Sequence, residues 1–141
     1  LNRLTDYGIM LMTVLARERV GRLSAPELAE RSGIPLPMLR KTLKALVHEG
    51  FLESRRGKHG GYRLERAPEE ITVAQIIEAL EGPLSFTDCS DAVPDHCAFE
   101  DDCPVCSNWR RINGAVRKAL DDISLADMAK PIPQDEPCIR V

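Results

Sequence analysis

Apolar residues recur along the first half of the chain with helical spacing, and polar stops divide the pattern into short elements. "LTDYGIMLMTVLARE" (residues 4–18) is apolar nearly all round and follows an Asn/Thr/Asp-rich start, which predicts a buried first helix. In "LSAPELAERSGIP", Ser24 stands as an N-cap, Glu27 completes a capping box three positions on, and Gly33 stops the chain, so a short second helix is expected. "PMLRKTLKALVHEG" then sets Leu39, Leu43, Leu46 and Val47 on one stripe and Arg40, Lys41 and Lys44 on the other, with Gly50 as its end. Two helices joined by a tight Gly turn, the second basic and amphipathic, predict a helix-turn-helix.

The period then changes. "FLESR" and "YRLER" are short strand-like runs flanking "RGKHGG", whose glycines allow the positive φ values of a tight hairpin. Its tip carries Arg55, Arg56, Lys58 and His59, side chains suited to phosphate contact and to a negatively charged minor groove. Any one of these charges could be a plain solvated side chain. The order of capped helix, turn, basic helix and basic hairpin, however, predicts a winged helix-turn-helix that binds double-stranded DNA, with Pro37, Arg40, Lys41, Lys44, Arg55, Arg56, Lys58 and His59 as the DNA-facing set.

"ITVAQIIEALEGP" reads as a further amphipathic helix, from Thr72 to a Gly82-Pro83 stop. From "NWRRINGAVRKALDDISLADMAKP" a long helix is expected, in which Trp109, Ile112, Val116, Ala119 and Ile123 recur at three- and four-residue steps as a coiled-coil-like seam. Such a seam can pack on its own domain, but a reader of two half-sites gains from a symmetric homodimer. The expected fold is mainly α with a small β-hairpin: a winged helix-turn-helix plus a long C-terminal dimerisation helix. Its divisions are 1–82 for DNA binding, 83–107 a cysteine-rich loop, 108–130 the dimerisation helix and 131–141 an extended, Pro-rich tail.

Charge supports this division. Residues 1–66 hold thirteen Lys/Arg against seven Asp/Glu, and residues 67–141 six against fifteen, so a net charge of −3 hides halves of +6 and −9. A basic half can meet a polyanion because steering follows the local field. No apolar run approaches the roughly 20 residues of a membrane span and no signal-like segment opens the chain, so no membrane association and a cytoplasmic location are expected. There is no Ser/His/Asp set, no phosphate-cradling Gly loop after a strand and no evident substrate cleft, which argues against an enzyme and against a small-molecule substrate.

The acidic stretch "DCSDAVPDHCAFEDDCPVC" (88–106) has no Lys or Arg and holds four of the five cysteines. Carboxylates oppose thiolate formation unless a cation is present, so the composition points to a metal centre. Cys89, Cys97, Cys103 and Cys106 are separated by seven, five and two residues. Structural zinc favours two close pairs, and only "CPVC" is close, so the spacing suits a loop around a bulkier iron-sulfur cluster better; zinc and a metal-free redox switch remain open alternatives. Cys138 lies in the tail, His48 reads as a surface residue, and His96 is an outlying ligand candidate beside Cys97.

"LTDYGIMLM", "LAERSGIPLPMLRKTLKALVHEGFLESRRGKHGGYRL", "ITVAQIIEALEGP" and the cysteine loop leading into "NWRRINGAV" together resemble the Rrf2 family of bacterial transcription regulators over almost the whole chain. The likeness is to its iron-sulfur members, the regulators of Isc- and Suf-type cluster assembly and the nitric oxide sensors, with "GPLSFTDC" and "SLADMA" nearest to the Suf type. The resemblance implies a homodimer on a partly palindromic operator, with residues 35–49 in the major groove and the wing in the minor groove. It also implies a [2Fe-2S] or [4Fe-4S] cluster on Cys89, Cys97 and Cys103. At the fourth ligand the chain departs from both patterns. The Isc regulators have a histidine where Cys106 stands, whereas the nitric oxide sensors use a first-helix aspartate in the "TD" context of Asp6. Both Cys106 and Asp6 are present, and Asp6 can equally be a helix N-terminal acid favoured by the macrodipole.

Overall fold

The computed structural model describes residues 1–18, 21–87 and 103–131; Cys89, His96, Cys97 and Cys138 lie outside these ranges, as do most of the 83–107 segment and the tail beyond Pro131. α1 (Arg3–Arg17) is capped by Asn2, whose side chain accepts a hydrogen bond from the Thr5 N–H at 2.8 Å. It buries one face, Thr5, Gly8, Leu11, Met12 and Leu15, while Met10 is exposed, so its apolar wrap is wider than the surface the core covers. Gly8 allows a close approach: a Cβ there would lie 2.8 Å from Leu80 Cδ1 on α4 (Val73–Glu81).

The reader forms where the caps place it. In α2 (Ala25–Ser32) both arms of the Ser24/Glu27 capping box are made, at 2.7 and 3.3 Å, and Gly33 closes the helix in the left-handed conformation at φ 74°. α3 (Leu36–His48) buries Leu39, Thr42, Leu43 and Leu46; the otherwise buried Thr42 hydroxyl donates to the Met38 carbonyl at 2.9 Å. These side chains meet Leu11, Met12, Leu28 and Ile76 in one core. β1 (Leu52–Arg55) and β2 (Gly61–Leu64) pair antiparallel, from Leu52 opposite Leu64 to Arg55 opposite Gly61. A third strand position, not evident from the sequence, is Leu23, which bridges to Tyr62 just ahead of α2. A 3-10 turn at Pro68–Glu70 leads into α4, which opens on a Thr72/Gln75 capping box and ends at Gly82.

The C-terminal segment differs from the single helix expected over 108–130. The structure has two helices, α5 (Cys106–Asp121) and α6 (Leu125–Ala129). Between them the chain is drawn into a short bridge: the Val73 N–H donates to the Ile123 carbonyl at 3.0 Å and the Leu125 N–H to the Ile71 carbonyl at 2.7 Å. Ser124 then restarts the helix through a capping box with Asp127, and Leu125 is completely buried. Two satisfied backbone bonds and one buried leucine outweigh continuation of the helix, and Ile123 consequently lies beyond the end of the seam. α6 packs against α1, tying the C-terminal segment to the reader. Among the described residues no helix is long and apolar enough to cross a membrane.

Candidate nucleic-acid interface

α3 faces the core with its leucines and solvent with its cations. Pro37, Arg40, Lys41 and Lys44 are all exposed, as the helical spacing required. Pro35, at the N-cap position, offers no side-chain hydrogen bond, so the first turn keeps N–H groups for an acceptor outside the helix. Arg40, Lys41 and Lys44 form no ion pair among the described residues, which leaves their charge available to a polyanion.

The wing projects beside this helix. Its turn is built on Gly57, at φ 103°, whose carbonyl accepts the Gly60 N–H at 3.0 Å; a Cβ on Gly60 would run into the Arg55 carbonyl. Arg55, Arg56, Lys58 and His59 are all exposed at the tip. Three residues absent from the sequence-derived set complete the wing's charge. Glu53 on β1 accepts from Arg22 at 2.6 Å and from Arg63 at 2.8 Å, and Arg55 lies 3.3 Å away. The hydrogen bond from Arg22, then that from Arg63, holds the Glu53 carboxyl down at about 2. Cross-strand register could have suggested the Glu53–Arg63 pair, but nothing local in the sequence points to Arg22.

Of the four loop cysteines, the described residues include two. Cys103 is half-buried; Cys106, buried, opens α5 and donates its N–H to the Cys103 carbonyl at 3.5 Å. Two thiols one turn apart at a helix N-terminus are suited to thiolate ligation, since the macrodipole there favours negative charge. Asp6 is exposed in the first turn of α1. At that end of the molecule the Asn2 N–H bonds the Glu81 carboxylate, lowering its pKa, and Glu81 closes α4 just before the cysteine segment begins. Asp6 therefore stands at the end from which that segment departs. Among the described residues no three His, Cys, Asp or Glu side chains gather as a metal site.

α5 lies against α4 by one face, with Asn113, Val116 and Leu120 half-buried and Arg117 paired to Glu78 at 3.2 Å. Trp109, in line with Val116 but nearer the helix start, is exposed, as are Ile112 and Ala119 beside that face; Ile112 keeps 45% of its surface in water. Apolar positions of this kind on a helix otherwise rich in charge form a packing surface left uncovered among the described residues.

A capped helix-turn-helix with a cationic second helix and a cationic wing is the architecture of a DNA-binding transcription regulator. The chain belongs to the Rrf2 family, whose model, described as an iron-dependent transcriptional regulator, matches residues 1–131. It is 32% identical over 134 residues to the HTH-type transcriptional regulator NsrR of Bacillus subtilis (strain 168), spanning 92% of this chain and 90% of that protein. Among solved structures it resembles CymR, the global cysteine regulator of B. subtilis (30% identical, TM-score 0.72, covering 92% of this chain and 95% of that one). It also resembles the IscR of T. potens (32% identical, TM-score 0.71, covering 91% and 84%). These relatives are transcription regulators and not enzymes.

Proposed function

We propose that the chain is a homodimeric repressor that reads a double-stranded operator through α3 and the wing, and senses iron-sulfur status or redox stress through a cluster held by its cysteine segment. The observation that carries this reading is the position of Cys103 and Cys106 at the start of α5. That helix bears the uncovered apolar stripe and continues into the bridge pinned to Ile71 and Val73. A thiol site there sits at the head of the dimer helix, whose far end is pinned to the reader, so a change at the thiols, carried along α5, biases the placement of two winged domains. Cys89, Cys97, Cys103 and either Cys106 or Asp6 would hold a [2Fe-2S] or [4Fe-4S] cluster, which supplies reversible redox chemistry and sensitivity to oxidant or nitric oxide when bound. The Suf-like motifs favour control of cluster-assembly genes; the alternative, a nitric oxide-sensing repressor, is favoured by the likeness to NsrR.

The likeness to CymR, whose Staphylococcus aureus form is also known in an oxidized state, favours a second reading, in which the cysteine thiols respond without a metal. Anaerobic purification with an absorbance spectrum and iron and sulfide counts separates the two. The cluster reading expects brown protein with iron and acid-labile sulfide that is bleached by Cys89→Ser, Cys97→Ser or Cys103→Ser. Colourless protein, or stoichiometric zinc without sulfide, overturns it.

A further inference from the structure

The wing gathers three arginines on one carboxylate. Register places Glu53 opposite Arg63, and Arg55 follows two positions along β1, so all three side chains share one face of the hairpin. Arg22 reaches the same carboxylate from the other side; it immediately precedes Leu23, whose backbone is bonded to Tyr62 on β2. Its side chain is 9% exposed, its Nη2 is on Glu53, and its Nη1 is buried without a hydrogen-bond partner. A guanidinium in that state cannot swing freely into water, so it fixes Glu53, and Glu53 in turn fixes the exposed guanidinium groups of Arg55 and Arg63.

From this geometry we infer that Glu53 is a positioning residue for DNA recognition, holding the wing's arginines in register with the helix-turn-helix; the inference rests on the interface proposed above. One carboxylate cannot neutralise three guanidinium groups, so the cluster keeps a net charge of +2 toward a polyanion. Arg63 uses its Nε and one Nη on Glu53 and retains donors for phosphate. Arg22 also lines, with Ser24, Glu27, Lys58 and His59, a cleft of about 620 Å³ between the wing and the start of α2. Side chains ordered before binding lose less entropy on binding, and fixed donors discriminate between sites better than mobile ones.

Simple electrostatics makes the opposite forecast for a carboxylate on a DNA-facing surface: it repels phosphate, and its removal strengthens every complex alike. The two accounts separate on one ratio. A duplex is selected by the wild-type full-length chain from a randomised 30-base-pair pool, and affinities for it and for a scrambled duplex are measured by fluorescence anisotropy across salt. With Glu53→Gln, binding to the scrambled duplex holds or tightens, while the selected-to-scrambled ratio falls about tenfold, the scale of one lost bidentate contact. Because Glu53→Gln leaves the buried Arg22 cation unpaired, the double variant Arg22→Met/Glu53→Gln is measured alongside, and it too must show the fall in ratio. A ratio unchanged in a folded variant, or equal shifts on both duplexes, overturns the role of Glu53. A pool that yields no selected duplex overturns the interface reading, and the role of Glu53 with it.

Discussion

Leu23 and Tyr62 exchange both of their backbone hydrogen bonds, Leu23 N–H to Tyr62 O at 3.1 Å and Tyr62 N–H to Leu23 O at 2.7 Å, and so join the wing to the residue that leads into α2. An isolated two-stranded hairpin is marginal in water; the third pairing, with Leu23 buried beneath it, anchors this one.

The close approach depends on Gly61. Its φ is +127°, and a Cβ there would lie 2.7 Å from the Leu23 carbonyl oxygen, a backbone atom that cannot rotate away. Gly61→Ala is therefore expected to cost about 1–3 kcal/mol of stability from backbone strain alone, with the clash adding to it. Urea denaturation measures this. A midpoint equal to wild type would show that the wing is not held as described.

Elements set by neighbouring residues could be read from the sequence. The Ser24/Glu27 box, the left-handed Gly33, the Gly82 stop and the α3 leucine stripe depend on contacts three or four residues apart, and the structure has each where the pattern put it. Pairings between distant segments could not be read, because nothing near Leu23, Arg22 or Ile123 reveals Tyr62, Glu53 or Val73. One local signal marks where the expected long helix divides: Ser124 followed three residues later by Asp127 is a helix start. For the candidate site, the exposed cations of α3 followed from helical spacing, whereas the gathering of Arg55 and Arg63 on Glu53 required the hairpin register.

The α6 cap carries a pH signature. Lys130 at 2.8 Å, followed by the backbone and side-chain hydrogen bonds of Ser124, lowers the Asp127 carboxyl from 3.8 to about 2. A depressed carboxylate contributes stability that is complete above its unfolded value and is lost as pH falls from about 3.8 through 2. A carboxyl-carbon NMR titration should give Asp127 a midpoint near 2 in wild type and a higher one in Lys130→Met. An unshifted Asp127 in wild type would contradict the cap.

If the apolar stripe of α5 is the dimer seam, a charge in its middle should open it. Ile112→Asp is expected to convert a dimer to a monomer at micromolar concentration in light scattering, since a central interface anchor contributes about 2 kcal/mol or more. Lys118→Ala is the control; Lys118 pairs with Asp122 on the solvent side and should leave the mass unchanged. A wild-type mass of one 15.7 kDa chain would remove the seam from the account.

Asp6 and Cys106 should behave differently. Cys106 is buried at the head of α5 and Asp6 is exposed on α1, so a cluster closed by one tolerates loss of the other. Iron content of anaerobically purified Asp6→Ala and Cys106→Ser is expected to fall in one variant only. Equal retention in both would place the fourth ligand elsewhere, with His96 next to be replaced.

Position on the reader separates two kinds of DNA contact. Arg40 and Lys41 lie in the first two turns of α3, exposed and without ion pairs among the described residues, where side chains reach base edges. Losing a bidentate arginine-to-guanine contact there costs about 1–3 kcal/mol of discrimination, so Arg40→Ala should bind the selected and scrambled duplexes more nearly alike. Lys58 is at the wing tip and is not among the ion-pair partners of Glu53. As a phosphate contact it would strengthen every complex equally, and Lys58→Ala should lower affinity for both duplexes while reducing the salt slope by about 1. Arg56, also at the tip, can enter an A·T-rich minor groove, in which case Arg56→Ala weakens narrow-groove sites most. Anisotropy titrations of Arg40→Ala, Lys41→Ala, Arg56→Ala and Lys58→Ala between 50 and 200 mM salt, roughly the range over which phosphate contacts dominate, distinguish these outcomes. Four variants indistinguishable from wild type on both duplexes would mean that this cationic face serves a different partner.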